Sequence, residues 1–143
     1  MNKQTMEVQQ FLSGAYLIDR CIEGKVEQIQ ELSDLVTRAT SALSDMPGNK
    51  SRNISRMEDI IVRIIDLQAE IGDEINKLLL RKKQIQDCIN QVDNIEGRMV
   101  LEKRYLMNYK WESIADECDR GLRQVFRIHE TSLKNITIPE SCQ

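Results

Sequence analysis

The chain has 143 residues, of which 30% are charged and 4% aromatic, with two prolines; this suits long exposed helices and excludes a large enzyme or a typical all-β fold. Its net charge of −3 excludes a protein that coats nucleic acid by overall charge, so any DNA contact must come from a local basic patch. Cys21, Cys88, Cys118 and Cys142 are scattered and form no Cys-x-x-Cys pair, which points to reduced thiols rather than a zinc module or a disulfide framework.

The first apolar run, Phe11 to Ile18, is broken by Ser13 and Gly14 and closed by Asp19 and Arg20, so it makes neither a signal peptide nor a membrane span. A cytoplasmic protein with no membrane partner is expected. From Leu12 onward, Ala15, Ile18, Ile22, Val26, Ile29, Leu32, Val36, Ala39 and Leu43 recur at intervals of three or four, one apolar stripe on a long helix. Asp45-Met46-Pro47-Gly48-Asn49-Lys50 then punctuates the chain, since proline fixes one torsion and glycine accepts positive φ.

Ser55-Arg56-Met57-Glu58 has capping-box spacing, which predicts a second helix starting at Ser55. Its stripe reads Met57, Ile60, Ile64, Leu67, Ile71, Ile75 and Leu78, passes polar Lys82, and resumes at Ile85, Ile89 and Val92. Arg81-Lys82-Lys83 reads as a solvated patch. Two striped helices of similar length bury their stripes by folding back on each other, with arms about 55 Å long at the helical rise. Apolar surface left beside so thin a seam favours a homo-oligomer, a dimer or higher.

After Asp93-Asn94 the pattern shortens to three helical segments, Ile95 to Asn108, Trp111 to Cys118 and Leu122 to Ile136. The last two have helix-turn-helix spacing: Ile114 and Ala115 supply an apolar and then a small residue where the helices cross, with Cys118, Val125 and Ile128 at further buried positions. Val125, Ile128 and Leu133 are expected inside, and Trp111 in the core. Arg123, Gln124, Arg127, Thr131 and Lys134 are expected outside.

Between Arg120 and Lys134 stand four basic residues and one acid, Glu130, whereas residues 1–95 hold 12 basic and 15 acidic residues. The basic face is therefore local. Arginine can bond two acceptors on a guanine edge and glutamine can do the same on adenine, which suits Arg123, Gln124 and Arg127 to base reading. Arg120 and Lys134 are the expected phosphate contacts. The single histidine, His129, has no cysteine or paired carboxylates around it and reads as a packing or DNA-backbone residue. Gly97 and Gly121 are isolated rather than part of a phosphate loop. No catalytic, cofactor or metal site is expected, and the chain is not expected to be an enzyme.

The segment LEKRYLMNYKWESIADECDRGLRQVFRIHETSL resembles the C-terminus of the ArpU-type late transcription regulators of phages and prophages of Gram-positive bacteria, a part similar to region 4 of sigma factors. ATSALSDMPGNKSRNISRMEDII is similar to the Met-Pro-Gly loop and following helix of that family, so the resemblance spans most of the chain. Two positions depart from the pattern: Asp119 stands where a glycine is expected and Gly121 where a serine caps the recognition helix. Aspartate tolerates a left-handed backbone and glycine is an acceptable N-cap. The resemblance implies a phage-encoded DNA-binding regulator that activates late genes in a bacterial host.

The sequence thus predicts an all-α fold: a long antiparallel, coiled-coil-like helical hairpin for oligomerisation (residues 1–93), a helix-turn-helix module that binds double-stranded DNA (94–138), and a tail (139–143). The competing reading is a protein-interaction module, an antirepressor or a factor that binds host RNA polymerase, acting through the hairpin.

Overall fold

A computed structural model describes residues 1–44 and 50–140. Among these residues five α-helices follow in order: α1 Lys3–Ser44, α2 Lys50–Ile89, α3 Ile95–Leu101, α4 Trp111–Cys118 and α5 Leu122–Leu133, with a π-helical turn, Glu102–Leu106, continuing α3. The fold is all-α, and the two long helices pack against each other as a hairpin. The expected Pro-Gly turn lies mostly outside the described residues, as does Cys142. Helix α2 already runs at Lys50, so Ser55 sits inside the helix and does not cap it. No described helix is long and apolar enough to cross a membrane.

The chain divides into two compact units, Arg20–Leu78 and Met1–Asp19 with Leu79–Gln143. In the first, the inward positions of α2 are Met57, Ile61, Ile64, Gln68, Ile71, Ile75 and Leu78, alternating four- and three-residue steps. This is the 3.5-residue period of a supercoiled seam. Ile60 and Leu67, expected inside, are instead 43% and 47% exposed, and on α1 Val26 is 52% exposed. Choosing only apolar residues shifted the stripe off its true face, because the seam position next to Leu67 is taken by a polar side chain. The Gln68 amide donates to the Ile29 carbonyl at 3.2 Å and to Ser33 Oγ at 2.9 Å, so it enters the seam with its donors satisfied. Lys25 pairs with Glu74 across the same seam, which holds the Glu74 carboxyl below its ordinary range. Polar seam residues of this kind cost stability and fix register.

In the other unit, Val8, Leu12, Ala15 and Ile18 of α1 and Ile85, Cys88 and Ile89 of α2 are buried. Lys82 is half-buried and pairs with Asp19 at 2.7 Å, so it is not part of a solvated patch. The unit also buries Val92, Val100, Leu101, Leu133 and Ile136, and the base of the hairpin therefore shares a compact unit with the C-terminal helices. Three side chains stitch the joint. Arg98 donates through Nε and a terminal nitrogen to the Val92 carbonyl (3.1 and 2.9 Å), and Asn94 caps α3 by accepting from the amides of Glu96 and Gly97. The Gln91 side chain bonds both the amide and the carbonyl of Thr137, which ties the segment after α5 to the end of α2.

Helix α3 crosses α5 closely. A Cβ at Gly97 would overlap Ser132 Oγ and lie 3.3 Å from Val92 Cγ1. Gly97→Ala should lower the unfolding free energy by about 1 kcal/mol in urea titration, since crowding against Val92 and Ser132 outweighs the helix propensity that alanine adds. Ser132→Ala in the same chain should recover most of that loss. An unchanged midpoint for Gly97→Ala would contradict the close crossing.

Candidate nucleic-acid interface

Helices α4 and α5 end and begin at the residues expected from sequence. The turn between them is built by the backbone: the Arg120 amide donates to the Ala115 carbonyl (3.1 Å) and the Asp119 amide to that of Asp116 (3.3 Å), with Asp119 left-handed at φ 53°. These are the two bonds of a Schellman motif, which closes a helix when the residue after its last turn takes positive φ. Gly121 then opens α5 from an extended conformation. Aspartate thus does the work of the expected glycine, and glycine that of the expected serine without a side-chain cap.

The core beneath α4 and α5 is Val100, Ile114, Ala115 and Val125, with Tyr109, Trp111, Cys118 and Ile128 packed against it and only partly buried. On α5, Val125, His129, Ser132 and Leu133 are buried. Arg123, Gln124, Arg127, Thr131 and Lys134 are exposed, as is Arg120 in the turn. No ion pair among the described residues engages Arg123, Arg127 or Lys134. Arg120 differs, because its Nε lies 2.9 Å from Glu96 Oε1 and a terminal nitrogen 3.5 Å from Oε2. Any phosphate contact by Arg120 must compete with this pair.

An aromatic stack that the sequence reading missed orients α5. His129 is inside, its Nε2 2.7 Å from the Tyr105 hydroxyl, and is therefore not a DNA-backbone residue. The Gln9 side chain of α1 lines the same cavity as Tyr105 and counts toward lowering the phenol. Burial pushes the Tyr105 phenol up to about 12 and the His129 imidazole down to about 4, with the Arg104 charge lowering both. Both groups are neutral at pH 7. Trp111 meets the rings of Phe126 (centroids 5.1 Å apart) and His129 (4.8 Å) edge-on, and the Arg104 guanidinium lies 4.6 Å over its own ring. Arg104 also donates to the Tyr109 carbonyl at 3.1 Å.

The π-helical turn makes this possible. The sequence predicted one helix from Ile95 to Asn108, but after Leu101 the turns widen: the Met107 amide donates to the Glu102 carbonyl, and the Tyr109 amide to that of Lys103. Asn108 ends the segment at φ 59°. Lys103 pairs with Glu117 of α4, which raises the Lys103 ammonium above its ordinary range. Burial raises the Cys118 thiol, which suits a packing residue rather than a nucleophile.

No protein-family model, curated protein or solved structure matches this chain.

Because the folded chain holds His129 neutral with its pKa near 4, against about 6.5 in an unfolded chain, the stability from this group is complete above pH 6.5 and is lost as the pH falls toward 4. The loss should approach roughly 3 kcal/mol. The unfolding free energy of the protein minus that of His129→Gln, measured at successive pH values, should shrink across this window. A constant difference would show that His129 titrates normally.

Proposed function

We propose that the protein is a sequence-specific DNA-binding regulator whose α5 enters the major groove. The observation that carries this reading is the sorting of α5, whose inner face is buried while Arg123, Gln124, Arg127, Thr131 and Lys134 stand exposed and free of acidic partners among the described residues. A Schellman turn and a small residue at the crossing set this helix against α4, as a reading helix requires. Arg123, Gln124 and Arg127 take the base edges and Lys134 a phosphate, while Arg120 shares its charge between Glu96 and the backbone. The resemblance to late transcription regulators supports phage or prophage genes as the target and activation as the outcome, in a bacterial cytoplasm.

Titration of duplexes at several salt concentrations tests this. Arg123→Ala or Arg127→Ala should weaken binding to the preferred site by about 1–3 kcal/mol and blur base preference. Lys134→Ala should weaken all sequences alike and flatten the logarithmic salt dependence by about 0.9. Folded Arg123→Ala and Arg127→Ala proteins with unchanged affinity and preference would refute the assignment.

A second reading, a protein-interaction module, is favoured by exposed apolar side chains: Leu122 and Phe126 beside the basic face, and Val62, Ile65 and Leu67 on the hairpin. Host RNA polymerase is the partner the sigma-like resemblance suggests for the former. For the hairpin we infer self-association, since its seam leaves large apolar residues uncovered. Light scattering at tens of micromolar should report a dimer or larger symmetric assembly, and a monomer would refute this.

A further inference from the structure

Within the unit Arg20–Leu78, one flank of the seam carries an apolar groove lined by Leu32 and Leu35 of α1 and Leu67 and Ile71 of α2. Leu35 and Leu67 are among the exposed large apolar residues of the chain. Charges border these two leucines in a regular way. Glu31 lies four residues before Leu35 and Arg38 three after it; Arg63 lies four before Leu67 and Glu70 three after it. Those intervals keep each charge on the face of its leucine.

The helices run in opposite directions, and Gln68 bonded to Ile29 and Ser33 fixes their register. Glu31 and Glu70 consequently fall at one level, to one side of the leucines, and Arg38 and Arg63 fall at the opposite side. The groove has an acidic end, an apolar middle and a basic end. All four charged residues are exposed, and none forms an ion pair with another described residue.

Resting on the self-association reading above, we propose that a second copy of the chain covers this groove, related by a two-fold axis through the level of Leu35 and Leu67, so that the two hairpins pack antiparallel as four helices. Such an axis carries the acidic end of each copy onto the basic end of the other, twice, while the leucines meet at the centre. Parallel stacking would set glutamate against glutamate and arginine against arginine. The acidic end disfavours a nucleic acid or an anionic membrane as occupant, whereas a second copy matches both ends at once.

Two variants of the full chain test the arrangement: Glu31→Lys with Glu70→Lys, which makes both ends basic, and Arg38→Glu with Arg63→Glu, which makes both acidic. All four positions are exposed, and circular dichroism checks that helicity is kept. By sedimentation, each variant alone should dissociate about a hundredfold more readily than the wild type, because like charges then meet at both ends. An equimolar mixture should restore a dimer containing one of each. In a chain with its four cysteines replaced by alanine, Leu35→Cys should form a disulfide-linked dimer on mild oxidation, and Ile65→Cys, on another face of α2, should not. Variants that dimerise like the wild type, a mixture that stays monomeric, or cross-linking at Ile65 rather than Leu35 would overturn the proposal. A monomeric wild type would instead defeat the self-association reading, before any charge is changed.

Discussion

A helix that presents one narrow apolar stripe can bury only that stripe, and this constraint governs the molecule. Along Arg20–Leu78 two helices share a single seam, and its polar intruders survive only because each is answered across the seam: Gln68 by Ile29 and Ser33, Lys25 by Glu74. A two-helix seam has no third layer to seal its flanks, which is why Leu35, Ile60 and Leu67 are exposed in the single chain. In the other unit the same helices gain neighbours, and their residues reach full burial at Leu12, Ala15 and Ile89.

The orientation of α5 follows from a different economy. Three short helices have little apolar surface, so their packing relies on shaped contacts: a glycine where α3 crosses α5, a left-handed aspartate in the turn, and rings set edge-on around Trp111. The Tyr105–His129 bond adds direction to this packing, since a buried imidazole without a partner would carry a desolvation penalty. Polar groups thereby do what a larger core does elsewhere, holding one helix at one rotation so that its arginines share a side.

Much of this was legible in the sequence. Helix α4 and the start of α5 were readable because Ile114, Ala115 and Val125 mark both the period and the crossing, and the exposed residues of α5 followed from the same wheel. The hairpin was legible as a hairpin, yet its exact face was not, because Gln68 occupies a seam position and the nearest apolar residue, Leu67, drew the stripe aside. Arg120 looked free because Glu96, its partner, lies 24 residues away and only the fold brings them together. His129 was open between packing and the DNA backbone for the same reason: Tyr105, the partner that fixes it inside, also lies 24 residues away. Gly97 carried a faint signal, a glycine inside a short helix, which is costly unless something passes close by.

The π-helical turn at Glu102–Leu106 can also be seen as a matter of phase. Such a turn holds about one residue more than an α-helical turn, so the chain after it is rotated by about 100° from where an unbroken helix would carry it. Arg104 and Tyr105 sit inside that offset, one over Trp111 and the other against His129. Removing a single residue from the turn would straighten the helix, improve its local hydrogen bonding and swing both side chains off their targets. Length in this segment is therefore as constrained as identity, because its residue count sets the rotation of everything it touches.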